Sequence, residues 1–222
     1  MQINIIRQRR KTASIVINDQ QEVIVKVPNY MTQKQIETLV ATHKEWIDKT
    51  VNTKKEHMQL NDWYLTNRQL YLGCYWPVKI KVAYGYKTMI VFSKELGFVL
   101  TTDGSESCAR AKMEEFYRMQ AKEMITPIVE EYSKLIGVNY QKITIRQQAT
   151  RWGSCSSKGN LSFNMKIIFA PIEMVRYVVL HEVVHLKHFN HSKAFWQEVA
   201  YYMPDYKECM NYFKEFGKNF II

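Results

Sequence analysis

Four of the six histidines fall in one short stretch, as His181, His185, His188 and His191. The first two frame the pentapeptide His181-Glu182-Val183-Val184-His185, an H-E-x-x-H pattern. On a helix, residues four apart share one face. Two imidazoles so placed converge on one divalent metal, with bonds of about 2.0–2.1 Å if the ion is Zn²⁺. Glu182 stands three residues before His185 and reaches a water held by such a metal without ligating it. A bound zinc acidifies that water and polarises a carbonyl. Glu182 then serves as general base and passes the proton to the leaving group. Metal-dependent hydrolysis is the chemistry these types at this spacing perform.

A catalytic zinc takes three protein ligands and keeps one position open. His188 and His191 compete for the third place. Seven residues of straight helix rise about 10.5 Å, too far for His181 and His188 to share a metal with His185. His191 lies beyond the expected helix end, and Asn190 before it tolerates a left-handed turn that swings the chain back. The expected ligands are therefore His181, His185 and His191, with His188 beside or behind them. Their +4 and +10 spacing is also that of the metzincin ligands, although His188 stands where those enzymes carry Gly. One Zn²⁺ per chain is expected, although three imidazoles accept other divalent transition metals too. The developing oxyanion needs a donor, and Arg151, Tyr201 and Tyr202 stay open for that role.

The elements that must position these residues read as α+β. Ser14–Asn18 and Glu22–Val27 flank Asp19-Gln20-Gln21 as a hairpin. Thr32 with Gln35 reads as a capping box before a helix to about Thr50. Strands follow at 70–72, 78–82, 88–92 and 97–101. Residues 106–136 then turn helical, with Pro127 expected to divide them. A strand is expected at 142–148, a polar turn at 151–157 and a strand at 161–169. Helices follow from Pro171 to about Phe189, over 192–203, and from Pro204 to about Phe216. The boundary is placed near 103–106. Residues 1–105 form a β-rich domain with one helix, and residues 106–222 a helical domain with a small antiparallel sheet.

Composition narrows the classes. The chain has 222 residues, 46% hydrophobic and 23% charged, with only 8 Gly and 5 Pro. That excludes a disordered or collagen-like chain. The net charge of +10 is spread along the chain, and the only dense run is Arg7-Gln8-Arg9-Arg10-Lys11. Cys74, Cys108, Cys155 and Cys209 form no C-x-x-C, which fits a reducing compartment. The N-terminal residues carry charge where a signal peptide needs its apolar stretch, and no run of about 18 apolar residues spans a membrane. A cytoplasmic protein is expected.

The residues Arg151-Trp152-Gly153-Ser154-Cys155-Ser156, Gly159-Asn160-Leu161, Asn164, Ala170-Pro171, Val178-Val179, His181-Glu182, His185-Leu186, Asn190-His191-Ser192 and Phe195-Trp196 resemble the YgjP-like (SprT-related) metal-dependent hydrolase family. The resemblance is specific over about 146–197 and weaker through the N-terminal strands. It implies a zincin-like fold for the C-terminal domain, His181, His185 and His191 as metal ligands, and a catalytic Glu182. Val183-Val184 departs from the smaller or longer apolar residues usual in the family. The Arg151–Ser156 segment has two readings. In one it is a strand edge that receives an extended substrate by β-addition, with Arg151 assisting catalysis. In the other it is a packing hairpin, with Gly153 in a tight turn and Trp152 in the core.

Three functions follow. The first is a zinc metallopeptidase acting on peptide or protein. The second is a hydrolase of a small anionic substrate, such as a nucleotide phosphoanhydride or another phosphoester, which the net charge and Arg151 would suit. The third joins the hydrolase core to a nucleic-acid-binding N-terminal domain, suggested by Arg7–Lys11.

Overall fold

The computed structural model describes residues 3–17, 22–148, 150–217 and 220, and for 54–61 the backbone alone. The chain forms two compact units, Met1–Leu60 and Asn61–Ile222.

In the first unit, strands β1 (Ile3–Gln8), β2 (Ser14–Ile17) and β3 (Val23–Pro28) make a sheet of order β1-β3-β2. The central β3 is antiparallel to β2 and parallel to β1. Its alternate residues Val23, Val25 and Val27 are fully buried. They pack in one cluster with Ile36 of helix α1 (Gln33–Thr42) and Ile47 of helix α2 (Lys44–Asn61). The hairpin strands stand as expected, while its reversal at 18–21 lies outside the described residues. The Thr32–Gln35 capping box is formed. The single helix expected beyond it breaks at His43, whose backbone leaves the helical region at φ −103°. Strand β1 was not anticipated, because its exposure does not alternate. Arg7, from the basic run, donates to the carbonyls of Asn29 and Met31 and so ties down the turn after β3.

The second unit opens with a short helix α3 (Trp63–Thr66) and strands β4 (Arg68–Tyr71), β5 (Cys74–Val82), β6 (Met89–Ser93) and β7 (Gly97–Thr102), ordered β4-β5-β7-β6. Helix α4 (Glu106–Ile136) follows, then β8 (Lys142–Arg146), β9 (Gly153–Cys155), β10 (Asn160–Asn164), a 3₁₀ turn at Met165–Phe169, and helices α5 (Ile172–Val184), α6 (Lys193–Tyr202) and α7 (Tyr206–Phe216). One apolar core runs from Trp63 to Phe220. Phe98 of β7 sits 5.7 Å from Phe116 and 6.1 Å from Tyr117 of α4, and Tyr117 sits 5.0 Å from Phe169.

That shared core corrects the boundary expected at 103–106. The composition changes there because strand gives way to helix, but both bury their apolar faces together. Pro127 does not divide α4, which is continuous from its Ser105 cap to Gly137 in the left-handed region at φ 76°. Pro127 lies on the exposed face, where water can satisfy the carbonyl that its missing N–H leaves free. The architecture is α+β as expected, but the small sheet, β8-β10-β9, is mixed: β10 is antiparallel to β9 and parallel to β8. The polar turn expected at 151–157 supplies that antiparallel neighbour as β9. Asn164 ends β10 by accepting from the Lys166 N–H, so the strand expected to reach Phe169 curls into the 3₁₀ turn. Among the described residues, no helix is long and apolar enough to cross a membrane.

The cores of the two units have no residue in common. A 61–222 fragment is expected to unfold in one cooperative denaturant transition. A 106–222 fragment, which strips the β4–β7 sheet from α4, is expected to bind a hydrophobic dye and lose its near-ultraviolet circular dichroism.

Candidate metal centre

Helix α5 is held rigidly because Val175, Val178, Val179, Leu180, Val183 and Val184 are all buried. It stops at Val184, earlier than expected. His185 is its C-cap, at φ −63° and ψ −19°, and the N–H groups of Leu186 and Lys187 turn back onto the carbonyls of Val183 and Val184, each at 3.0 Å. The chain reverses here and re-enters helix at Ser192, whose hydroxyl caps α6 by accepting from the Phe195 N–H. His191 lies in the short link between the helices. Asn190 is not left-handed as expected; its side chain instead accepts from the Ser192 N–H.

The link brings three imidazoles together. His191 Nε2 is 3.0 Å from His181 Nε2 and 3.2 Å from His185 Nε2, and one ligand atom of each ring lies within 4.8 Å of the others. Two nitrogens bound tetrahedrally to one zinc sit about 3.3–3.4 Å apart, so the donor set fits such an ion. The protonation states fit as well. His185 Nδ1 donates to the His188 carbonyl at 2.9 Å, which leaves the Nε2 lone pair facing the other rings. Burial, reinforced by His185 and His191, pushes His181 down to about 3, and burial lowers His185 too. Both stay neutral, as ligands must.

His188 does not join the cluster. Its carbonyl orients His185, and its ring meets Glu198 of α6, which also binds Lys187 at 2.7 Å. Burial would raise the Glu198 carboxyl, but these two partners hold it below its ordinary range. Phe195 packs 4.5–4.9 Å from all three imidazoles, and Trp196 stacks on His191 at 5.5 Å. Glu198 escaped the sequence reading. Only its spacing along the helix after Ser192 hinted that it faces back toward His188.

Glu182 is buried. Burial pushes its carboxyl up to about 8, against the opposing charge of Arg151. Its neighbour across the gap is Gly153 of β9. A Cβ there would lie 2.5 Å from Glu182 Cγ and 2.6 Å from Oε1. Gly153 is therefore not in the tight turn of the packing reading. It is a strand residue without a side chain, so that the carboxyl can lie against the strand. A glycine inside a strand signals such a close approach, and that signal was available once β9 was seen as a strand. Burial and the Glu182 charge push the Cys155 thiol up to about 11, so it stays protonated.

The neighbouring residues divide between scaffold and site. Trp152 packs on Phe213 and Phe220 of the core. Arg151 is exposed, with its charge felt at Glu182. The buried Asn164 amide donates to the carbonyls of Gln148 and Arg151 at 2.8 and 3.0 Å, which pins the loop before β9. Of the tyrosines kept open as oxyanion donors, Tyr202 gives its hydroxyl to the Leu135 carbonyl, and Tyr201 is 79% exposed.

Comparison with known proteins gives one match over nearly the whole chain. The family model described as YgjP-like, metallopeptidase domain, matches residues 11–216. Two solved structures are similar over two fifths of the chain. The metallopeptidase zymogen abylysin of Pyrococcus abyssi is 23% identical, with a TM-score of 0.38, over 41% of this chain and 93% of its own. The metallopeptidase zymogen jannalysin of Methanocaldococcus jannaschii is 24% identical, with a TM-score of 0.37, over 41% of this chain and 88% of its own. Comparison with curated proteins finds no match.

Two outcomes follow from the geometry. Elemental analysis after dialysis should find about one metal per chain in the wild type and in His188→Ala, whose carbonyl remains, and almost none in His191→Ala. In metal-free protein, Glu182 is ordinary when unfolded, near 4.5, and raised to about 8 when folded. The folded state therefore holds the extra proton between those values, and stability falls as pH rises through that window. Glu182→Gln should remove this loss, so its advantage in denaturant midpoint should grow from about pH 4.5 to 8 and then level off.

Proposed function

This chain belongs to the YgjP-like metallopeptidase family, and from that premise we propose that it is a zinc-dependent peptidase. His181, His185 and His191 would hold the metal. When bound, zinc acts as a Lewis acid that makes water more acidic and polarises a carbonyl. The observation that carries the reading is the buried Glu182 carboxyl held against β9 beside three imidazole nitrogens that point at one another.

The chain's own groups divide the remaining work. Glu182 takes a proton from water and delivers it to the departing amine. Strand β9 has β10 on one side, and its other edge is the end of the sheet. An extended peptide pairing with that edge would run past Glu182. Arg151, at the start of the same segment, would offer its guanidinium to the carbonyl oxygen as charge develops. Phe195, packed on all three imidazoles, and Trp196, stacked on His191, keep the rings from turning. The four free cysteines accord with a cytoplasmic site of action.

The test uses zinc-loaded protein and an unfolded protein substrate, with new N-termini counted by mass spectrometry. Glu182→Gln should retain zinc and lose about 10²–10⁴-fold in rate. Gly153→Ala should also keep zinc, because it displaces only the carboxyl, and lose about 10²-fold from misplacement. Arg151→Ala should lose about 10²-fold in kcat with little change in KM. Full activity in Glu182→Gln would sink the assigned role.

A further inference from the structure

A cavity of about 340 Å³ opens beside the candidate centre, lined by Trp196, Tyr206, Lys207, Met210, Asn211 and Lys214. It shares a wall with the site, because Trp196 stacks both on His191 at 5.5 Å and on Tyr206 at 5.2 Å. Lys207, Met210, Asn211 and Lys214 stand three, four and seven apart on α7 and so form one stripe of that helix. Both lysines are exposed, and neither has an ion-pair partner among the described residues. No carboxylate lines the cavity.

We propose that this cavity is a substrate subsite for acidic side chains of a peptide, next to the bond being cleaved; the inference rests on the peptidase reading above. The charge of the lining selects an anion, and the shape of the charge selects a peptide. Seven helical residues separate the backbones of the lysines by about 10.5 Å, between the roughly 6.8 Å and 13.6 Å that two and four residues of extended chain span, a difference that the long lysine side chains can take up. An extended segment with Asp or Glu at alternate positions can meet both ammonium groups. Met210 and the ring edges of Trp196 and Tyr206 cover its methylenes, and the Asn211 amide is placed to pair with its backbone. A nucleotide base fits less well, because Trp196 and Tyr206 already spend ring faces on each other.

The test separates the subsite from the chemistry by using zinc-loaded Glu182→Gln. Binding of two fluorescein-labelled octapeptides, alternating Ala-Glu and alternating Ala-Gln, is read by anisotropy. The glutamate peptide is expected to bind about tenfold more tightly. Adding Lys207→Glu and Lys214→Glu should remove that preference. A control of equal charge, Lys79→Glu with Lys81→Glu on β5, should change it less than twofold. Equal binding of the two peptides, or equal loss in the control pair, overturns the inference in favour of general attraction to a basic protein. Displacement of the peptide by ATP at lower concentration than by unlabelled glutamate peptide overturns it in favour of a nucleotide. The peptidase reading fails separately, if the zinc-loaded wild type binds the peptide through these lysines and cleaves no protein.

Discussion

Three imidazole nitrogens gathered within 4.8 Å, with His191 at 3.0 Å from His181 and 3.2 Å from His185, repel unless a cation or a proton lies between them. The fold holds this arrangement by burial. Desolvation keeps His181 from taking up a second proton, so a full positive charge on that ring does not relieve the repulsion. The valines of α5 fix two of the rings, and the hydrogen bond from His185 Nδ1 to the His188 carbonyl fixes the direction of one lone pair. The third ring is set by where α5 stops. Had the helix run on to Phe189, His191 would have been carried further along its axis, and the cluster would not close.

The same economy of space governs Glu182. A carboxyl buried against a strand is costly while ionised, and Arg151 offsets only part of that cost. Gly153 lets the group lie against β9, and Asn164 clamps the loop that carries Arg151. The segment Arg151–Cys155 thereby packs the core and borders the candidate centre. Trp152 turns into the core on Phe213 and Phe220, while Gly153 beside it lies against the carboxyl. Of the packing reading, Trp152 stands in the core as expected, while Gly153 stands in a strand and not in a tight turn.

The second unit needs its whole length to do this. Tyr117 of α4 touches Phe98 of the four-stranded sheet and Phe169 of the turn that leads into α5. The strands at 68–102 are therefore part of the body that anchors the metal-site helix. The first unit keeps a core of its own around Val23, Val25, Val27, Ile36 and Ile47.

The sequence by itself determined the candidate ligands, the candidate base and the α+β class. The H-E-x-x-H spacing acts within two helical turns, where local geometry decides which side chains meet. The Thr32 cap, the long helix at 106–136 and most strands were legible for the same reason. What only the tertiary structure decided involves groups far apart in the chain. It decided that α5 ends at Val184, that Gly153 makes room for Glu182, that Glu198 holds His188, and that the sheet before residue 105 shares a core with the helices after it. Such contacts depend on which surfaces pack together, and a one-dimensional pattern of apolar and polar residues is the same whether a face meets one neighbour or another.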